Sequence, residues 1–307
     1  MSRHFVALAA GIVAVTVPSG ALLAGTLSVP NASFESPVTP FVSTQIDAWQ
    51  KAPKPAWYDE GGGFFWDQLA GLFKNTPAGS ADHIENCDGA QAIWLFAVPE
   101  VALFQDYDSV DWNDPSPSHA FDARFEVGKS YRLTVGVIGT GGNMLEGVPL
   151  KLGLYYRDAD GDPAIVASTT VTNSAAVFPN RNHFVDFAVA VPTVQAGDAW
   201  AGQHIGVRFL STVGAAMQGG FWDLDNVRLA ASSPPTLSGP AVAGGQFQFT
   251  LQSEPGLAFD ILTTSDPAAP VTEWTRLTTV TNATGNALVT DTNALAAGRF
   301  YTARQLP

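Results

Sequence analysis

Residues 219–229 read GGFWDLDNVRL, an apolar run that carries two aspartates. An extended chain alternates its side chains, so Phe221, Asp223, Asp225, Val227 and Leu229 take one face and Trp222, Leu224, Asn226 and Arg228 the other. Asp225 then shares a face with Val227 and Leu229. A carboxylate on an apolar face is costly unless it is hydrogen-bonded, paired or bound to a cation. The run therefore predicts a buried strand whose acid has a partner elsewhere in the chain.

The same short-period reading extends outward from this strand. ARFEVGKSYRLTVGVIG (123–139) alternates at Tyr131, Leu133, Val135 and Val137. VPLKLGLYYRDADGDPAIVAS (148–168) is two strands around an acidic glycine turn, and HFVDFAVAVP (183–192) and HIGVRFLST (204–212) are two more. No segment keeps a helical period over a dozen residues. FFWDQLAGLFKN (64–75) comes nearest, with Phe65, Leu69 and Leu72 spaced for one short helical face in a loop insertion. With 29 Gly, 21 Pro and 14% charged residues in 307, the pattern predicts an all-β protein with large cores.

The chain divides into four segments. Residues 1–25 place Arg3 and His4 before an apolar stretch from Phe5 to Val17, then Pro18 and small residues, the layout of a secretory signal peptide. The apolar stretch is too short to span a bilayer, so the expected location is secreted, extracellular or at the cell surface, with no membrane insertion after cleavage. Residues 26–231 form the first β-sandwich. A Ser/Pro/Gly linker comes next at 232–240, and residues 241–307 carry short evenly spaced strands that predict a second, smaller β-sandwich. A single cysteine, Cys87, excludes an internal disulfide. The net charge of −13, with few clustered cations, argues against nucleic acid as a partner. The oligomeric state is not legible.

VPNASFESPV (29–38) near the start and GGFWDLDNVRL at the end of the first sandwich, with CDGAQAIWLF (87–96) and FEVGKSYRLTVGV (125–137) between, resemble bacterial extracellular jelly-roll modules of the galactose-binding-like, carbohydrate-binding type. The resemblance implies a jelly roll over residues 26–231. It also implies a structural Ca²⁺ between first and last strands, held by Glu35 and Asp225. Carboxylate oxygens suit that ion, and it would supply the missing partner of Asp225.

Sugar recognition uses exposed aromatic faces. Trp57, Tyr58 and Trp66 in APKPAWYDEGGGFFWDQ (52–68), and Trp112 in QDYDSVDWNDPSPSH (105–119), are the candidate platform for a polysaccharide or other glycan. Asp106, Asp108, Asp111 and Asp114 in the second stretch read as solvated loop acids. DADGDP (158–163) is not an EF-hand loop, because Pro163 and Thr169 replace the required glycine and bidentate acid. His83, His119, His183 and His204 show no metal-site spacing, and no G-x-S-x-G is present. The expected function is a secreted, non-catalytic carbohydrate-binding protein and not an enzyme. The alternatives are a surface or matrix adhesion protein without a sugar site and, less favoured, a glycoside-active enzyme using unmarked carboxylates.

Overall fold

The computed structural model describes residues 25–111, 114–253, 255–293 and 298–306. The expected signal segment, apart from Gly25, and Trp112 lie outside these residues. Thr26–Ala231 and Ser232–Pro307 are separate compact units.

The first unit is a sandwich of two antiparallel sheets. One has seven strands, in the order Val185–Val191, Ser130–Gly141, Phe221–Ser232, Gln91–Phe96, Ala70–Lys74 and Val42–Ser43, with Gly25–Leu27 also paired to Phe221–Ser232. The other has five: Pro163–Thr172, Pro149–Arg157, Gly206–Ser211, Ala102–Gln105 and Gln50–Lys51. Alternation builds the interface. Leu133, Val135, Val137, Ile93, Leu95, Trp222 and Leu224 from the first sheet meet Leu150, Leu152, Leu154, Val207 and Phe209 from the second, all fully buried. Each such side chain contributes about 1.5–3 kcal/mol relative to exposure. The protein is all-β, as the patterning predicts, and the strand Phe221–Ser232 lies in the middle of the larger sheet.

Strict alternation fails at one point in that strand. Asn226 has φ 54°, a left-handed conformation that acts as a bulge and flips the parity of the residues after it. Trp222 and Leu224 face the core before the bulge; Val227, Leu229 and Ala231 face the core beyond it. Asp225 therefore does not share the face of Val227 and Leu229. It lies with Phe221 and Asp223 on the outer face of the seven-stranded sheet.

The helical spacing of Phe65, Leu69 and Leu72 is also overridden. Trp66–Leu69 is a single 3₁₀ turn that runs directly into the strand Ala70–Lys74. DADGDP forms the hairpin turn between Arg157 and Pro163, where Asp158 Oδ1 accepts the N–H groups of Asp160 and Asp162.

The C-terminal unit pairs Thr236–Ala243, Gln246–Gln252 and Asn286–Asp291 in one sheet, and Thr275–Asn282, Leu257–Thr264 and Phe300–Gln305 in another. Phe249, Leu251, Phe259, Ile261, Val289 and Tyr301 form its core. Thr236–Ala243 begins inside the stretch that composition marks as linker.

Candidate active site

On the outer face of the seven-stranded sheet, Asp223 stands directly across from Trp94, and Phe221 across from Phe96. The two phenylalanine rings are 5.8 Å apart and tilted by 52°. Trp94 is fixed from two sides. Its Nε1 donates to the Gln68 carbonyl at 3.0 Å, and its ring lies across Gly71, where an added Cβ would stand 2.4 Å from Cη2 and Cζ2. Only glycine at 71 leaves room for the indole. On the other side, Gly141 lets the neighbouring strand approach Phe221, whose carbonyl oxygen would be 2.5 Å from a Cβ there. Further along the same face, Ile84, Ala92, Ile138 and Phe184 form a small buried apolar cluster.

Asp223 is half-buried, and among the described residues its carboxyl has no hydrogen-bond or ion-pair partner. Packing around the carboxyl is dense enough that burial alone pushes its pKa up to about 8. At neutral pH such a group carries its proton and is poised as a general acid. The nearby Thr140, in a left-handed conformation at φ 68°, has a buried hydroxyl without a partner.

Asp225, two residues on, is fully buried but well answered. Its Oδ2 accepts the Asp88 N–H and its Oδ1 the Asn226 N–H, both at 2.6 Å. Burial pushes its pKa up to about 7, and these backbone bonds oppose the rise. Glu35 reaches the same loop from the first segment of the sandwich. Its Oε1 accepts Ala90 N–H at 2.8 Å and Gln91 N–H at 2.7 Å. Gly89, just before them, has φ 98°, and any Cβ there would fall 2.5 Å from that oxygen. Gln91 completes the bolt, donating to the Phe34 and Pro37 carbonyls and accepting from Thr39 N–H. The Cys87 thiol in this loop is driven up by burial and the adjacent Asp225, so it stays protonated. The partner of Asp225 is thus backbone N–H, supplied by the loop that Glu35 holds.

The aromatic residues expected to form a platform pack mainly on one another. Trp66 is buried, its Nε1 donating to the Ala52 carbonyl at 2.7 Å. Tyr58 meets it edge-on at 4.9 Å, and Trp57 at 6.3 Å and 90°. Of the three, Trp57 alone is strongly exposed, at 49%, and its Nε1 donates to Glu100. In the second aromatic stretch Asp106 is taken by Tyr155 and Arg157, and Asp111 by Ala48 N–H. The sequence pattern assigns Asp223 no role beyond its place on the face of Phe221. The available signal was parity: alternation placed it beside Phe221, and its actual neighbour Trp94 lies on a strand 129 residues away.

The HpiC1-like family, described as HpiC1 cyclase, matches residues 25–230. Among solved structures, the chain is similar to the Stig cyclase Fisc from Fischerella sp. TAU in complex with (3Z)-3-(1-methyl-2-pyrrolidinylidene)-3H-indole, at 19% identity and TM-score 0.48 over 69% of this chain and 99% of that one. A cyclase from Fischerella sp. TAU in complex with 4-(1H-indol-3-yl)butan-2-one matches at 21% identity and TM-score 0.47, over 69% and 100%. An arabinose-bound α-L-arabinofuranosidase matches at 12% identity and TM-score 0.40, over 68% of this chain and 27% of that one. No curated protein matches.

The family match overturns the expected function. A non-catalytic carbohydrate-binding protein, with an adhesion protein as its alternative, gives way to membership of an enzyme family. The galactose-binding-like resemblance reflected the shared β-sandwich strands, which many unrelated activities use. The expectation that no enzyme is present rested on the absence of known catalytic motifs, and a carboxyl whose pKa is raised by burial has no local sequence motif.

Proposed function

The chain belongs to the HpiC1-like cyclase family through residues 25–230, and from that premise we propose that the first sandwich catalyses an acid-promoted cyclisation with Asp223 as proton donor. The observation that carries this reading is the unpaired carboxyl on the outer sheet face, pushed up to about 8 by burial. The protonated acid delivers its proton to an unsaturated carbon of the substrate and leaves a carbocation. The cation is attacked by a π bond elsewhere in the same molecule, which closes a ring. Loss of a proton from the cyclised cation to the Asp223 carboxylate restores the acid, so the overall change is an isomerisation with no oxidant or reductant. Trp94, Phe96 and Phe221 supply aromatic surface beside the acid. Ring faces stabilise positive charge without competing for it as nucleophilic oxygens would.

The test is cyclisation of arenes that bear an unsaturated chain, compared between wild type and Asp223→Asn, with the Asp223 pKa followed by carboxyl ¹³C NMR. Full activity in the variant, or a carboxyl titrating near pH 4, defeats the proposal.

A structural Ca²⁺ at Glu35 and Asp225 is a separate proposal, supported by the two carboxylates closing on one loop. The donor set fits the ion poorly. Three of the four carboxylate oxygens already accept backbone N–H groups. Among the described residues no group of three or more His, Cys, Asp or Glu side chains is placed to hold a metal. No step of the cyclisation is routed through it, and chelation with EDTA tests it. Export from the cell is likewise a proposal, supported by the basic and apolar pattern of residues 1–25.

A further inference from the structure

The opposite face of the sandwich, the outer side of the five-stranded sheet, carries a charge arrangement that the cyclisation does not use. Lys151 lies across from Leu210 and Gly153 across from Arg208. The intervening pair, Leu152 and Phe209, points into the core and is fully buried. Lys151 and Arg208 are therefore diagonal neighbours on the outward face, a relation that brings Cα atoms to about 7–8 Å.

Both are half-buried, and neither has an ion pair or hydrogen bond among the described residues. The exposed Lys74, Arg132 and Arg181 likewise have no pair among the described residues, but the other half-buried cations, Lys51, Lys129, Arg157 and Arg299, each pair with an acid. Lys51 is paired with Asp67, Lys54 with Glu60, Arg157 with Asp106 and Arg228 with Asp186. Arg208 is held partly out of water, which pulls its pKa down, and the titratable group that acts on it is Tyr155 rather than a carboxylate. The Tyr155 hydroxyl is already committed to Asp106 Oδ2. A half-desolvated guanidinium with no counter-charge is costly in the free protein, and an anion would remove that cost.

The surroundings define what kind of anion fits. Tyr155 covers Gly206 so closely that a Cβ there would be 2.3 Å from its ring, which walls off one end. Phe104 faces Arg208 from the adjoining strand, and Leu210 lies beside it on the same strand. Ile165, 46% exposed, borders Gly153, where the nearest atom to an added Cβ is 3.5 Å away. Gly153 thus carries no side chain between the two cations and is itself covered, with the Ala167 carbonyl oxygen and Ile165 Cδ1 in ordinary contact distance of where a Cβ would stand.

We propose that this face binds an organic carboxylate, with the Arg208 fork engaging both carboxylate oxygens, Lys151 adding a second charge, and Phe104, Leu210 and Ile165 receiving the apolar body. A planar fork matches a planar carboxylate in a way a point charge does not.

Calorimetric titration of the full chain tests this with 3-phenylpropionate, 3-phenylpropanol and inorganic phosphate as probes. The propionate is expected to bind, and the alcohol not. Affinity should fall about tenfold or more in Arg208→Gln, and severalfold in Lys151→Gln and Arg208→Lys, the last keeping the charge without the fork. Asp223→Asn should bind like wild type, which separates this site from the cyclase acid. Should Arg208→Gln fail to fold by circular dichroism, the exposed-face variant Lys151→Gln decides the matter alone. The proposal is overturned by no propionate binding to wild type, by equal affinity in Lys151→Gln and wild type, by phosphate binding as tightly as the propionate, or by loss of binding in Asp223→Asn.

Discussion

Asp291 in the C-terminal unit and Asp223 in the first both sit on β-strands among apolar neighbours, and the chain treats them in opposite ways. Burial pushes the Asp291 carboxyl up, but the Asn293 N–H, the Tyr301 hydroxyl and the Arg299 guanidinium outweigh it and hold the group below the usual carboxylate range. Asp260 in the same unit is held low by Thr279, Arg304 and Arg276. Around Asp223 no such donors are supplied among the described residues, and the pKa rises to about 8. A sequence that answers two acids with arginines and hydroxyls could have answered the third. Leaving it unanswered costs stability and yields a proton donor at neutral pH, the exchange expected of a catalytic group and not of a structural one.

That contrast can be broken in four places. The largest effect is on turnover: Asp223→Asn should lower cyclisation by about 10² to 10⁴-fold, and the wild-type rate should fall roughly tenfold per pH unit above about 8, where the acid is lost. A pH profile that is flat from 6 to 10 would remove Asp223 from the chemistry. Next comes Asp291→Ala, which strands Arg299 and Tyr301. It should destabilise the C-terminal unit by about 3–5 kcal/mol in denaturant titration, and a cost below about 1 kcal/mol would deny that the pair is structural.

Stability against pH gives a smaller signal with a definite sign. The folded-state pKa of Asp223 lies above the unfolded value of about 3.9, so between about pH 4 and 8 the folded state holds the extra proton and stability declines as pH rises. Asp223→Asn should therefore melt a few degrees above wild type at pH 8.5, and the gap should shrink at pH 4.5. A gap that is constant with pH would mean that the carboxyl is not buried as described. The smallest effect concerns Asp225, which is answered by backbone alone. If Ca²⁺ also binds there, EDTA should lower the melting temperature of the first unit by about 2–4 °C. Coincident melts would leave the N–H groups of Asp88 and Asn226 as its whole support.

Much of the architecture could be read from residue order because it rests on local periodicity. Tyr131, Leu133, Val135 and Val137 alternate in sequence and line the core in the structure, and the runs around Phe249 and Phe259 behave likewise. The parity flip at Asn226 was hidden because asparagine adopts a left-handed conformation without announcing it. Trp66 misled because exposure is a tertiary property: Pro/Gly-rich surroundings say that it is in a loop, not that the loop folds back to bury it. The acid was hardest to see. Its pKa is set by burial, and the strand that places Trp94 across from it is distant in sequence, so only its parity with Phe221 was legible locally.

The strand Phe221–Ser232 comes last in the first unit yet lies between Ser130–Gly141 and Gln91–Phe96, and its Asp225 grips the loop that Glu35 holds from the start of the sandwich. Until that strand arrives, the larger sheet exists as two halves with open inner edges. Folding of this unit must therefore wait for nearly the whole of its sequence, and its rate should be governed by long-range closure rather than by any early hairpin. A chain cut before residue 221 would lose its acid and, with it, the piece that joins the two halves into one sheet.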